Sequence, residues 1–164
     1  MKGEDMARRV FFSFHYERDV WRAGQVRNSW VTQERQSAGF WDAASWEEVK
    51  KKGKDAIERW IDRQLEGTSV TVVLIGAETS TRPYVRYEIT ESLNKGNGLL
   101  GIYIHNMKDR AGNRDTKGTN PFDNWTFSDP QGRVVTFPTY DWVRDDGYSK
   151  MGDWIETAAK RARR

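Results

Sequence analysis

The chain has 164 residues, the length of a single domain, and its composition excludes several functional classes. It contains no Cys, so it can form no disulfide, thiolate metal site or cysteine nucleophile. Charged residues make up 31% of the chain, and no stretch approaches the roughly 18 consecutive apolar residues of a membrane span. The formal net charge is only +3, which does not favour nucleic-acid binding. We therefore expect a soluble, cytoplasmic protein with no nucleic-acid or membrane partner.

The first residues differ from the rest of the chain. Residues 1–8 are polar and lack the apolar core of a signal peptide. We expect them to form a disordered leader and residues 9–164 to form one domain.

Predicted strands and helices alternate along the chain. Runs of apolar residues predict strands that are covered on both faces, and apolar residues spaced by three or four predict helices. The strands are predicted at residues 9–16, 39–43, 69–76, 99–105 and 138–143. The helices are predicted at residues 17–36, 54–66, 83–95 and 148–162. Residues 44–53 are predicted to form a polar loop, and residues 106–136 a long loop that is functional, an interface or mobile.

This alternation predicts an α/β domain. The expected fold is flavodoxin-like, with a central, mainly parallel sheet of five strands in the order 2-1-3-4-5 and helices on both faces. Ligands of such folds bind beyond the carboxyl ends of the strands. The segments expected along that rim are Phe14–Tyr16, Asp42–Trp46, Gly76–Glu88 and His105–Asn106.

Glu88 is an unusual residue in the third predicted helix. Its neighbours Val85 and Ile89 belong to an apolar stripe, and Glu88 is expected at the edge of that stripe. A structural interpretation makes it a partner of the helix dipole or of Arg82 or Arg86. A functional interpretation makes it a catalytic acid, and the residue pattern alone leaves both open.

Several chemistries lack their motifs. The chain has neither GxxxxGK[ST] nor GxGxxG, which disfavours ATP hydrolysis and dinucleotide hydride transfer. The two histidines, His15 and His105, have no helical HxxxH pairing, so no metal site is expected. A Ser-His-Asp triad could draw on Ser13 or Ser45, but no GxSxG elbow exists.

One carboxylate among aromatic residues suits the cleavage of an N-glycosidic bond. Such cleavage develops positive charge on the sugar, which a nearby carboxylate stabilises. The nicotinamide of NAD leaves as a neutral molecule and needs no general acid. The helix N-terminus is expected to keep Glu88 ionised, and Phe14, Trp46 and Tyr84 could stack on nicotinamide or adenine.

Seven stretches, in this order and spacing, resemble the TIR-like proteins once grouped as unknown-function family 1863, and most closely the TIR subunits of Thoeris anti-phage defence. They are Arg9–Tyr16 (RVFFSFHY), Arg27–Val31 (RNSWV), Phe40–Glu47 (FWDAASWE), Thr68–Gly76 (TSVTVVLIG), Tyr84–Ile89 (YVRYEI), Asn120–Asp123 (NPFD) and Tyr140–Tyr148 (YDWVRDDGY).

The resemblance implies a TIR fold and an enzyme of the NAD glycohydrolase or ADP-ribosyl cyclase type. NAD is then a substrate, no cofactor is needed, and the product is a (cyclic) ADP-ribose signal that activates a separate effector protein. A phage-derived trigger and an active homo-oligomer are also implied. Glu88 matches the family's catalytic glutamate, and Tyr84 stands where many TIR domains have Trp. The implied substrate contacts are Phe14, His15, Asp42, Ser45, Trp46 and Tyr84.

Two alternatives remain open. A non-catalytic TIR module would use residues 106–136 and the surplus tryptophans as an interface, since this fold does not decide function. An enzyme similar to nucleoside 2-deoxyribosyltransferases would use the same glutamate on a nucleoside in place of NAD.

Overall fold

The computed structural model describes residues 8–31, 36–37 and 43–164. Residues 1–7 of the predicted leader lie outside the described residues. Arg8 forms an ion pair with Glu156, with 2.8 Å between Arg8 Nε and Glu156 Oε2. The division into a leader and one domain stays a prediction.

The described chain alternates between strands and helices. The strands are β1 (Arg9–Ser13), β2 (Gln36–Ser37), β3 (Val70–Ile75), β4 (Gly98–Tyr103), β5 (Phe127–Ser128), β6 (Val134–Val135) and β7 (Thr139–Asp141). The helices are α1 (Val20–Val31), α2 (Ala43–Lys51), α3 (Lys54–Leu65), α4 (Pro83–Lys95), α5 (Pro121–Asn124) and α6 (Gly147–Arg161). None of these helices has the length and apolarity needed to cross a membrane.

The central sheet has five strands in the order β2-β1-β3-β4-β7, and every neighbouring pair is parallel. Every residue of β3 is buried, as expected of a central strand with helices on both faces. Helix α1 contacts α6, and α3 contacts both α2 and α4. The flavodoxin-like order predicted from the sequence is therefore confirmed, and it places the sheet's reversal point between β1 and β3.

The chain between β1 and α3 differs from its prediction. The second strand is Gln36–Ser37, whereas the predicted strand at 39–43 lies mostly outside the described residues and ends where α2 begins. The polar loop predicted at 44–53 is wrong, because α2 occupies most of it. Trp46 and Val49, three residues apart, pack against the core, and this helical spacing is easily overlooked among polar neighbours.

The long segment 106–136 is also more ordered than predicted. It contains α5 and the antiparallel pair β5–β6. Phe122 and Phe127 from this segment are buried in an apolar cluster with α4 and β3. The segment therefore forms part of the hydrophobic core.

Helix α4 is bounded as its sequence predicts. Pro83 occupies the first turn, where a missing N–H costs nothing, and Gly96 ends the helix with a φ of 89°. The Gly96 N–H donates to the Leu93 carbonyl oxygen at 3.0 Å. With both ends fixed, the helix turns Val85, Glu88 and Ile89 towards the sheet.

The contact between β4 and α6 allows a stability test. A Cβ at Gly98 would lie 2.4 Å from the Ala158 carbonyl oxygen, so Gly98→Ala must push α6 away from the sheet. We expect a loss of about 1–3 kcal/mol in the free energy of unfolding. Gly24→Ala in α1 is the control, because its Cβ would meet no atom within 4 Å. It should gain about 0.5–1 kcal/mol from helix propensity. Urea denaturation measures both, and equal stabilities would contradict the packing described.

Candidate active site

Glu88 lies on the inner face of α4 and is fully buried, with 0% exposure. The Ser13 hydroxyl, at the end of β1, donates a hydrogen bond to Glu88 Oε1 at 2.5 Å. Glu88 Oε2 has no hydrogen-bond partner among the described residues. The carboxyl group is therefore deeper than the stripe edge predicted from the sequence.

The structural interpretation of Glu88 as an arginine partner is not supported. Arg82 Nη2 lies 4.0 Å from Glu17 Oε1, and the Arg86 guanidinium lies over the ring of Trp125, 5.7 Å from its centroid. Neither guanidinium neutralises Glu88. A buried acid with one free oxygen and no cation is the pattern of a functional group more than of a structural one.

Burial raises the pKa of Glu88 well above its ordinary value, and the Ser13 hydrogen bond only partly opposes this effect. The prediction that the helix N-terminus keeps Glu88 ionised is therefore wrong for this state. Glu88 is the sixth residue of α4, and the dipole effect falls off beyond the first turn.

Four rings, here called the aromatic cluster, lie beside the rim of the sheet: Phe14, Tyr16, Trp46 and Tyr84. Tyr16 and Tyr84 stack with centroids 4.7 Å apart and planes at 7°, and the Tyr16 N–H donates to the Tyr84 hydroxyl. The Trp46 ring is tilted against both, at 5.1 and 5.2 Å. Phe14 meets Tyr16 edge-on at 4.8 Å.

Helix α4 connects the aromatic cluster to Glu88. Tyr84 stands four residues before Glu88, so the two side chains are one helical turn apart on the same side of α4. Glu88 has no exposed surface. A substrate can reach it only if side chains around it move. The structure thus shows a closed site.

The structure brings the rings of Phe14, Trp46 and Tyr84 together around Tyr16, with Glu88 one helical turn from Tyr84. That these residues bind or act on a substrate stays a prediction. The structure adds Ser13 and Tyr16, which the sequence analysis did not select as site residues. The only sequence signal for Tyr16 is its place in the segment where the chain leaves β1. The sequence suggested Ser13 only as a triad nucleophile, and it gave no sign of the bond to Glu88, because the two residues are 75 positions apart.

His15 is buried at the same rim. Its Nδ1 accepts the Arg18 N–H at 3.1 Å, and its Nε2 lies 3.9 Å from Glu78 Oε1. Burial is the main cause that lowers the pKa of His15, followed by the charge of Arg82. His15 therefore acts as a hydrogen-bond acceptor within the turn. Its contact with a substrate stays a prediction.

The remaining predicted contacts lie where α2 begins. Asp42 is outside the described residues, and Ser45 is placed only by its backbone, in the first turn of α2. Their roles stay predictions. Across the described residues, no group of three or more His, Asp or Glu is arranged to hold a metal, so His15 and His105 belong to no such group.

A cavity of about 750 Å³ lies at the other end of the sheet, near the amino end of β4. It is lined by residues at the start of β4, the end of α6 and the segment around β6, including Gly98, Ala158 and Val135. This position is far along the strands from Glu88 and the aromatic cluster. It is not the candidate active site.

A parallel sheet in the order 2-1-3-4-5, with a buried glutamate on the helix after its central strand and aromatic rings at the carboxyl edge, defines a TIR-like domain. The family model described as "Thoeris protein ThsB, TIR-like domain" matches residues 11–109, which include Glu88 and the whole aromatic cluster. The chain belongs to this ThsB family of TIR-like domains.

One relative matches almost the whole chain. It is the Bacillus cereus (strain MSX-D12) protein named "Putative cyclic ADP-D-ribose synthase ThsB1". The two sequences are 41% identical over 191 aligned residues, which cover 92% of this chain and 100% of the relative. The resemblance found in the sequence is therefore confirmed.

The raised pKa of Glu88 predicts how stability depends on pH. Above the ordinary value of 4.5, the folded state keeps a proton that the unfolded state releases, so rising pH destabilises the wild-type protein. Glu88→Gln cannot titrate. We expect it to be more stable than the wild type at pH 8, with an advantage that shrinks as the pH falls towards 5.

Thermal unfolding across this pH range tests the prediction. Glu66→Gln removes an exposed carboxylate and serves as the matched control. Its difference from the wild type should stay small at every pH. A Glu88→Gln advantage that does not depend on pH would contradict the assignment of a neutral, buried Glu88.

Proposed function

We propose that this protein cleaves the nicotinamide–ribose bond of NAD and makes a (cyclic) ADP-ribose signalling nucleotide. The observation that carries the proposal is the buried carboxyl of Glu88, which has one hydrogen bond and no ion pair among the described residues, one helical turn from the ring of Tyr84. The ThsB family and the relative named as a cyclic ADP-D-ribose synthase support the same activity. The role is then that of Thoeris anti-phage defence.

The substrate itself supplies the positively charged partner that Glu88 lacks. The nicotinamide ring of NAD is a cation, and a positive charge beside a buried carboxyl lowers its pKa. NAD binding therefore favours the ionised form of Glu88. As the C–N bond breaks, neutral nicotinamide leaves with the bonding electrons and positive charge passes to the ribose. A preorganised carboxylate stabilises that charge in the transition state.

The aromatic cluster provides flat surfaces for nicotinamide or adenine. The rings of Tyr16 and Tyr84 are only 4.7 Å apart, so no third ring fits between them. A bound nicotinamide must replace one of the existing ring contacts. Trp46 is the member of the cluster that α2 carries, whereas Phe14 and Tyr16 follow β1 directly. We propose that the Trp46 ring moves aside and that nicotinamide takes its place in the cluster.

The partners follow from the same proposal. The nucleotide product would activate a separate effector protein, and a phage-derived trigger would open the closed site. Homo-oligomerisation is proposed as part of the active state. NAD is a substrate in this scheme, and the chemistry calls for no cofactor.

The two alternatives receive less support. In the scaffold interpretation, residues 106–136 and the surplus tryptophans form an interface, but Phe122 and Phe127 of that segment are buried and are not available to a partner. In the deoxyribosyltransferase interpretation, the substrate is a nucleoside. The match to the ThsB family favours NAD.

Glu88→Gln tests the role of the carboxylate. We expect nicotinamide release to fall by about 10²–10³-fold or more, because one preorganised group that stabilises transition-state charge is worth that much. The assay follows nicotinamide and cyclic ADP-ribose by mass spectrometry in lysates of phage-challenged cells expressing each variant. Glu66→Gln should keep full activity. Release of nicotinamide by Glu88→Gln at the wild-type rate would overturn the proposal.

Tyr84 tests the stacking surface. Tyr84→Phe keeps the ring and should leave the KM for NAD within a few-fold of the wild type. Tyr84→Ala removes the ring, and a lost aromatic contact of about 1–1.5 kcal/mol raises KM roughly tenfold. Steady-state kinetics of nicotinamide release distinguish the two variants. Equal KM values for Phe and Ala would show that Tyr84 does not stack on the substrate.

A further inference from the structure

Asp19 is a second buried carboxylate at the rim, and the function described so far does not use it. It precedes α1 directly, in the turn after β1. Its main chain is part of that turn, because its N–H donates to the His15 carbonyl at 2.9 Å and its carbonyl accepts the Ala23 N–H at 2.8 Å. The side chain is only 1% exposed.

Within the part of the chain that the structure describes, neither carboxylate oxygen of Asp19 has a hydrogen-bond partner. The nearby arginines are engaged elsewhere. Arg18 pairs with Asp115 at 3.0 Å and with Glu78 at 3.3 Å. Arg22 donates to the carbonyl oxygens of Met107 and Asn113, each at 2.8 Å. An unpaired buried carboxylate costs stability, so its presence requires another explanation.

The position of Asp19 is where this fold binds ligands. The sheet order reverses between β1 and β3, and the crevice at that reversal is the usual ligand site of flavodoxin-like sheets. Asp19 follows β1, and its Oδ2 lies against Gly76, the residue after β3. A Cβ at Gly76 would come within 2.1 Å of this oxygen, so only glycine fits there.

The segment 107–118, here called the strap, closes this crevice. Gly118 packs on Gly76 so closely that a Cβ there would lie 2.1 Å from the Gly76 carbonyl oxygen. The contacts of Arg18 and Arg22 with Asp115 and Asn113 hold the strap to α1. The strap begins in the core at Met107, whereas the contact between Arg18 and Asp115 is exposed to solvent and can separate more easily.

The charges around Asp19 come from three elements. Arg18 and Arg22 of the α1 region lower its pKa, while Asp115 of the strap and Glu78 after β3 raise it. Burial dominates and raises the pKa of Asp19 to about 6. Above that pH the group is ionised and needs hydrogen-bond donors.

The aromatic cluster lies within reach of this charge. Burial raises the pKa of Tyr84 to about 12, and the charge of Asp19 is one of the further contributions. Ser13, which binds Glu88, is the last residue of β1, and Asp19 follows in the turn that leads to α1. Both buried acids are therefore connected to the carboxyl end of β1.

We propose that Asp19 binds the hydroxyls of the adenosine ribose of NAD, while Glu88 serves the nicotinamide ribose. A vicinal diol offers two donors, which matches the two free oxygens of one carboxylate. This inference rests on the proposed function. Entry of the diol requires the strap to lift from Gly76.

Asp19 is a substrate-binding residue in this account and takes no part in bond breaking. The C1′–N bond breaks and nicotinamide keeps the electron pair. C1′ then bonds either to an atom of the adenosine part, which gives a cyclic product, or to a water oxygen, which gives linear ADP-ribose. Any proton carried by the attacking atom passes to solvent. By holding the adenosine end, Asp19 favours the cyclic product.

Asp19→Asn tests this role, with Asp153→Asn on the exposed side of α6 as the matched control. Two hydrogen bonds to a charged group are worth enough to raise KM for NAD by about tenfold or more when the charge is removed. The cyclic fraction of the product should fall. Asp153→Asn should match the wild type in both measurements. A wild-type KM together with a wild-type cyclic fraction for Asp19→Asn would overturn the inference.

Direct binding separates this inference from the proposed function. In the Glu88→Gln background NAD stays intact, and calorimetry should show at least a tenfold weaker Kd when Asp19→Asn is added. Equal Kd values would overturn the role of Asp19 even if NAD is cleaved. A wild-type protein that never cleaves NAD would overturn the proposed function alone. Asp19→Asn should also keep or raise the Tm, because it removes an unpaired buried charge; a lower Tm with unchanged Kd would assign Asp19 to folding.

Discussion

The hydrogen bond from Ser13 to Glu88 joins the end of β1 to the inner face of α4, and the rest of the site is arranged around it. Among the described residues, it is the one hydrogen bond to a carboxyl group whose other oxygen has no partner. One neutral hydrogen bond does not offset the burial of a charge. Burial therefore raises the pKa of Glu88 and favours its protonated form.

In the proposed mechanism, substrate binding activates the acid. The rings of the aromatic cluster pack against one another through stacking and edge contacts, and Tyr84 is one helical turn from Glu88. A nicotinamide cation that displaces one ring would then bring both a replacement surface and the charge that ionises Glu88. On this proposal, a closed site with a neutral acid limits NAD consumption while no signal is needed.

Much of the fold was predictable because its elements carry local signals. The apolar runs of β1, β3 and β4 and the Pro83 and Gly96 boundaries of α4 each identify an element without any tertiary information. Helix α2 was missed because only Trp46 and Val49 mark its inner face. The topology predicted where along the sheet Glu88 lies. Its full burial was not predictable, since it depends on packing against β1, which is distant in the sequence. The burial of Asp19 was not predictable from the sequence, because a charged residue between a strand and a helix is ordinarily exposed.

The protonation state of Glu88, with and without NAD, shows whether substrate binding ionises the acid. Carbon-detected NMR of protein labelled at the glutamate side-chain carboxyl, compared with Glu88→Gln to assign the signal, reports it with and without NAD. The account predicts a neutral carboxyl at pH 7 in the free protein and an ionised carboxylate once NAD is bound. A Glu88 that is already ionised in the free protein, or that stays neutral in the complex, would contradict it.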